Sequence, residues 1–172
     1  LKIAGPVKTY INEVEVSKMK SMVIITALSL FSSAAYAYDK IYLKRLLEEN
    51  QCHHCNLSEA PLEDHDLEGA DMSEANLKGI ILTNANVKGA WFTHSRMQGA
   101  QLEGADLSNS LMDYAQLMDA NLKNAKLDGA HLIFSDMSGA DLTGASMKGV
   151  HDRGIKFCNT TMPDGSVNND GC

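Results

Sequence analysis

Residues 55–149 repeat every five positions, nineteen times in succession, with no insertion or deletion. Counted in fives from Cys55, the third residue is large and apolar in every unit, from Leu57, Leu62 and Leu67 through Phe92 and Met97 to Leu142 and Met147. The first residue is usually Ala, as at Ala60, Ala70, Ala75 and Ala105. Ser95, Ser110 and Ser135 are small substitutes, and His65 and Ile80 depart from the pattern. The second residue is often Asp or Asn, and the fifth is often Gly. A short strict repeat constrains architecture before any site is considered. An amphipathic helix needs apolar residues about 3.6 apart, and a half-buried strand needs them about 2 apart. A period of five satisfies neither, because on a straight helix the apolar positions drift round the axis and bury nothing.

The pattern fits a coil with one corner per pentapeptide, four pentapeptides making one square turn. The central apolar residue and the small residue two before it then point inward, and the other three positions point outward. Coils stacked at about 4.8 Å pair backbone with backbone, so roughly five of them give a rod on the order of 25 Å long. No coil buries its own core, and its neighbours supply the rest. The units Ala105-Asp-Leu-Ser-Asn, Ala120-Asn-Leu-Lys-Asn and Ala140-Asp-Leu-Thr-Gly resemble those of the pentapeptide repeat family. The resemblance covers about residues 55–162. It implies an all-β fold, a right-handed quadrilateral β-helix, and implies little about function, because one fold hosts many functions.

The flanks read differently. Residues 1–18 show no clear pattern. Lys18-Met19-Lys20, an apolar run over 22–31 and a small-residue stretch ending at Ala37 form the three regions of a secretory signal over 19–37, with Tyr38 the mature N-terminus. The apolar run is short of the roughly 20 residues a membrane-spanning helix needs. A signal anchor or a buried helix is the competing reading. Cleavage implies a periplasmic or secreted protein with no stable membrane anchor. Residues 38–54 are expected to cap the open end of the β-helix with a short helix, with Asp39 as N-cap and Leu43, Leu46 and Leu47 as its apolar stripe. The repeats are expected over 55–162, followed by a tail over 163–172.

The four cysteines lie at the two ends: Cys52 and Cys55 before the repeats, Cys158 and Cys172 after them. An exported chain with an even cysteine count favours disulfides, here Cys52–Cys55 and Cys158–Cys172. Cys52-His53-His54-Cys55 also invites redox and metal readings. A thioredoxin-like pair lacks its strand-to-helix context, and a c-type haem site needs His where Asn56 stands. A zinc site built from four consecutive residues is strained, because the ligands do not easily converge. No cofactor or metal is expected. The sequence ending Phe157-Cys-Asn-Thr-Thr-Met-Pro-Asp-Gly-Ser also resembles the C-terminal closure of exported members of the family. Asp152 breaks the apolar phase shortly before it.

Residues twenty apart stack on one face of such a coil, which sorts the outward positions. Three faces are largely polar, with both signs of charge interspersed, and read as solvated. The fourth collects Trp91, His94, Leu111, Tyr114, His131, Ile133 and Phe134. One column on it runs Trp91, Leu111, His131, His151. Another runs His94, Tyr114, Phe134, and reads as a ladder of stacked rings. Clustered exposed aromatics point to a contact surface for a partner protein or a second copy. Two alternatives stand beside this: the C-terminal tail covers the face, or the corner differs there and turns some of these residues inward.

Over residues 38–172 there are 11 basic and 20 acidic side chains, a net charge of −9. That balance disfavours nucleic acid and anionic lipid as direct partners. No nucleophile–base–orienter set is recognisable, so an enzyme is not expected. The function expected is an exported, non-catalytic structural or protein-binding solenoid. The alternative, implied by cytosolic members of the family, is a DNA mimic that protects gyrase; it requires that residues 19–37 be retained.

Overall fold

The computed structural model describes residues 38–172. The upstream segment 1–18 and the expected signal 19–37 lie outside the described residues. From Gln51 onward the backbone climbs as a square coil. Parallel bridges join every fifth residue to its counterpart twenty positions later, from Gln51↔Asp71 through Leu111↔His131 to Asp141↔Thr161. The ladder is therefore entered ahead of residue 55, with Cys52 in the central inward position of the opening unit. It also runs on through Asp152, with His131↔His151 and Asp136↔Lys156 paired as below them.

Why five residues suffice for one side of the square is visible in the backbone hydrogen bonds. In the unit 120–124, Ala120 N–H closes the preceding turn on Leu117 O. Asn121 N–H reaches down to Ala100 O, and Leu122 and Asn124 N–H reach up to Asp141 O and Thr143 O. Only Lys123 N–H lacks a backbone acceptor, and the Asn121 side chain supplies one at 3.2 Å. The same bond recurs from Ser108 N–H to Asp106, Ser138 N–H to Asp136 and Thr143 N–H to Asp141, at 3.0–3.1 Å. Asp and Asn therefore recur at the second position because they satisfy the one donor the ladder leaves over.

Each corner is a turn with positive φ at its third residue only, the type II pattern. That residue is the fifth of each unit, where glycine pays no steric penalty. Inside, Leu57, Leu77, Phe92, Leu102 and Leu122 are fully buried, as are the small residues Ala60, Ala85 and Ala105. Each large side chain so buried contributes about 1.5–3 kcal/mol, and the neighbouring rungs are what exclude water from it.

Helix α1, Lys40–Glu49, closes the lower end. Asp39 caps it by accepting Ile41 N–H at 2.8 Å, and Asn50 ends it in the left-handed region. Leu46 is fully buried, and Tyr38, Tyr42 and Leu43 pack beside it on the core. Leu47 is 45% exposed. The stripe therefore runs through Tyr42, Leu43 and Leu46, at helical spacing, and Leu47 falls one step round the axis toward solvent. Among the described residues no helix is long and apolar enough to cross a membrane.

Cys52 and Cys55 are joined in a disulfide with a Cα–Cα distance of 5.2 Å. They occupy the two inward positions of one corner, where higher rungs carry pairs such as Met72 with Ala75 and Met112 with Ala115, and both are buried. At the upper end β1, Thr160–Thr161, pairs antiparallel with β2, Val167–Asn168. Phe157 N–H donates to Asp170 O and Thr160 Oγ1 to Met137 O, so the tail folds over the last rung. A Cys158–Cys172 disulfide, Cα–Cα 4.8 Å, ties it down.

Candidate functional site

The face that carries the units at 70, 90, 110 and 130 departs from the rest in two ways. The first concerns its corners. At the other three corners the left-handed position holds Gly, Asn, Asp or Glu throughout, for instance Gly99, Asn124, Asp119 and Glu59. At this corner it holds His94, Tyr114 and Phe134, with φ of 57–59°. An L-residue in that region costs about 1–2 kcal/mol. The rings stack upward. His94 and Tyr114 have centroids 4.8 Å apart and planes 10° from parallel, and Tyr114 and Phe134 follow at 5.5 Å and 26°. The Arg153 guanidinium stands 5.5 Å from the Phe134 centroid. The next residue of the column is Gly154, where a methyl group would meet Phe134 Cδ1 at 2.5 Å. The ladder ends there because glycine makes room for its last ring.

The second departure is at the second position. Asp71 still accepts Ser73 N–H at 2.9 Å, but above it the column is Trp91, Leu111, His131, His151, none of which makes that bond. One compensation is present: Asp113 accepts Ile133 N–H at 2.9 Å from the coil above. His131 and His151 face each other with centroids 4.2 Å apart. Trp91, Tyr114 and Phe134 are 46–49% exposed, and Leu111, His131 and Ile133 are half-buried. The C-terminal segment lies over the last rung and leaves these rings open, and none of them turns into the core.

Further down the ring column stand His54 and Glu74, and His53 stands in the column of Asp113 and Ile133; counting the units from Cys55 left His53 and His54 off this face. The twenty-residue spacing from His54 to Glu74 was the available signal.

The remaining faces are organised for solvation. Partial burial alone would raise the Asp136 carboxyl, but the hydroxyl and N–H of Ser138, and then Lys156, hold it below the ordinary value. Asp106 follows the same balance, with Ser108 and Lys126 outweighing burial. The Thr143 hydroxyl and N–H lower Asp141, with Lys123 beside it at 3.1 Å. These half-exposed ion pairs contribute little, about 0–1 kcal/mol each. They are corner devices.

The family profile described as pentapeptide repeats matches residues 51–89, 70–109 and 115–151, in eight copies. No curated protein matches the chain. Among solved structures, a pentapeptide repeat protein from the cyanobacterium Cyanothece 51142 is 26% identical with a TM-score of 0.66, the match covering 72% of this chain and 95% of that one. A pentapeptide repeat protein of the Arabidopsis thaliana thylakoid lumen is 27% identical, TM-score 0.40, covering 67% and 70% of the two chains. HetL from Nostoc sp. strain PCC 7120 is 19% identical, TM-score 0.38, covering 74% and 98%. The family profile and the Cyanothece structure imply the right-handed quadrilateral β-helix, whose four-cornered coil of twenty residues is the unit described above. With more than half of its residues matched and the coil in place, the chain belongs to the pentapeptide repeat family.

Proposed function

We propose that this protein is an exported, non-catalytic solenoid whose aromatic corner and adjoining face bind a protein, either a partner or a second copy of itself. One observation carries the reading: the left-handed corner positions given to His94, Tyr114 and Phe134. Three strained residues cost about 1–2 kcal/mol each, whereas two ring stacks return about 0.5–1.5 kcal/mol each beyond burial. Gly or Asn, used at the other corners, would hold the turn with less strain. Backbone strain gathered at one place is a mark of function, and here the strained residues offer exposed rings. Aromatic side chains and Arg153 on a rigid ladder are the residue types that dominate protein interfaces. Export is supported by the signal-like segment 19–37 and by the even set of cysteines. The acidic balance of residues 38–172 makes nucleic acid an unfavourable partner.

The test is the double variant Trp91→Ser, Phe134→Ser. Sedimentation at rising concentration reads self-association, and pull-down from periplasmic extract reads a partner. Loss of either in the variant, with an unchanged far-UV spectrum, is the expected result. An unchanged oligomeric state together with unchanged pull-down refutes the face. Intact mass of protein from the periplasmic fraction tests export separately. A chain starting at Tyr38 without free thiols supports it, and an uncleaved cytosolic chain with four free thiols sends the reading to the gyrase-protecting mimic.

A further inference from the structure

Among the described residues outside the ring ladder, the densest group of metal-ligating side chains sits on the first two coils. His53 and His54 are the middle residues of the loop closed by the Cys52–Cys55 disulfide. Glu74 stands one rung above His54. One ligand atom from each of the three lies within 4.8 Å of the other two. His54 Nδ1 and Glu74 Oε2 are 3.4 Å apart, and the two imidazole centroids are 3.9 Å apart. All three side chains are exposed, so ion and water both have access.

We propose that His53, His54 and Glu74 bind a divalent transition-metal ion of the zinc class, with water completing the coordination. Two imidazoles and one carboxylate with an open fourth position is a ligand set zinc accepts, at about 2.0–2.2 Å per ligand. Ligands at that radius in a tetrahedron stand about 3.3–3.6 Å from one another. The His54–Glu74 pair already meets this spacing, and rotation of the exposed His53 ring closes the remainder. The backbone beneath is fixed: His54 N–H donates to Ser73 O at 3.0 Å and Glu74 N–H to Thr93 O at 2.9 Å. The disulfide pins both ends of the His53–His54 loop, so little ordering is left for the metal to impose. The half-cystines themselves are buried and bonded to each other, which leaves their sulfurs out of the ligand set. Imidazole donors select zinc, copper and nickel over magnesium and calcium, which take oxygen. The site does not depend on the aromatic corner having a protein partner.

The experiment is isothermal titration of the full, oxidised chain with zinc chloride, repeated with calcium chloride. One zinc per chain and no calcium is expected. His53→Gln, His54→Gln and Glu74→Gln should each weaken zinc binding about tenfold or more, since loss of even an outer-shell partner costs that much. His131→Gln, His151→Gln should leave it unchanged. In the unsubstituted protein the ring resonances of His53 and His54 should shift on zinc addition while that of His94 stays. The proposal is overturned by the absence of saturable binding tighter than about 1 mM. It is equally overturned if Glu74→Gln binds as the parent does, if the loss follows His131 and His151, or if binding appears only after the disulfides are reduced.

Discussion

Two glycines of the last full coil differ in one respect that the ring ladder dictates. Gly149 and Gly154 both sit at corners with positive φ, 67° and 73°. A methyl group at Gly149 meets nothing within 4 Å, whereas at Gly154 it meets Phe134 Cδ1 at 2.5 Å and Cε1 at 2.6 Å. Gly149→Ala therefore adds only the left-handed penalty, about 1–2 kcal/mol. Gly154→Ala adds the same penalty and also drives the Phe134 ring off its seat. The ring is held by Tyr114 below and Arg153 beside it, so it cannot yield without losing a stack worth about 0.5–1.5 kcal/mol, and overpacking of this kind costs about 1–3 kcal/mol. The total for Gly154→Ala is then about 2–5 kcal/mol. In a Phe134→Ala background the collision is gone, and Gly154→Ala should cost what Gly149→Ala costs. The coupling energy between positions 134 and 154 is thus about 1–3 kcal/mol and favours the double variant. Urea unfolding followed by far-UV circular dichroism and by Trp91 fluorescence measures it. The two probes also report whether the terminal coil melts ahead of the rod, as a stack of nearest-neighbour units allows. Equal losses for Gly149→Ala and Gly154→Ala, or strict additivity with Phe134→Ala, would show that Phe134 does not lie over Gly154.

Three further outcomes follow from the same accounting. Ser95 Oγ is buried with no partner among the described residues, while Ser110 and Ser135 donate to Leu107 O and Leu132 O at 2.7 and 2.8 Å. Ser95→Ala should raise stability by about 1 kcal/mol and Ser110→Ala should leave it equal or lower it by about the same amount, read by the same urea curves. Asn121→Ala strips Lys123 N–H of its only acceptor and should cost about 0.5–1.5 kcal/mol, with faster amide exchange confined to that corner. The carboxyls of Asp106, Asp136 and Asp141 are held below their ordinary value of 3.8 in the folded chain. Their contribution to stability is therefore complete above that value and is lost as pH falls through their lower folded values. A thermal midpoint that is flat above about pH 5 and declines below about pH 4 is expected. A midpoint that rises on acidification through that window refutes the assignment.

The coil was legible because inward positions tolerate only two residue classes, large apolar at the centre and small two places before it. Every unit from Leu57 to Met147 obeys the first rule. The same legibility failed at the start of the ladder. Cys52 and Cys55 fill the two inward positions of a corner, but as half-cystines they read as a motif and not as core. The register therefore looked as though it began at Cys55, and His53 and His54 were left off the face to which they belong. Helix α1 was legible as a helix from its cap and stripe. Its rotation was not, because Leu47 differs from Leu46 only by one step round the axis, and contact with the first coil decides between them.

The aromatic corner shows how far pattern alone carries toward a site. The stacking of His94, Tyr114 and Phe134 followed from the twenty-residue column, since side chains one rung apart on a fixed corner have nowhere else to go. The strain beneath them did not follow, because it depends on which of the five positions turns left-handed. Once the fifth position is known to be that residue, the sequence can be reread. Glycine at position 99 or 129 is then the residue the corner wants, and an aryl ring at 114 or 134 is one the corner resists. Glycine returns at 154, where a side chain would displace the last ring, just as Gly129 and Gly144 stand over Asn109 and Asn124 on other faces. The placement of Gly154 ties the exposed rings to a single arrangement. In the proposed reading it is the strain at His94, Tyr114 and Phe134, and not the glycine above them, that marks this corner as a surface for a partner.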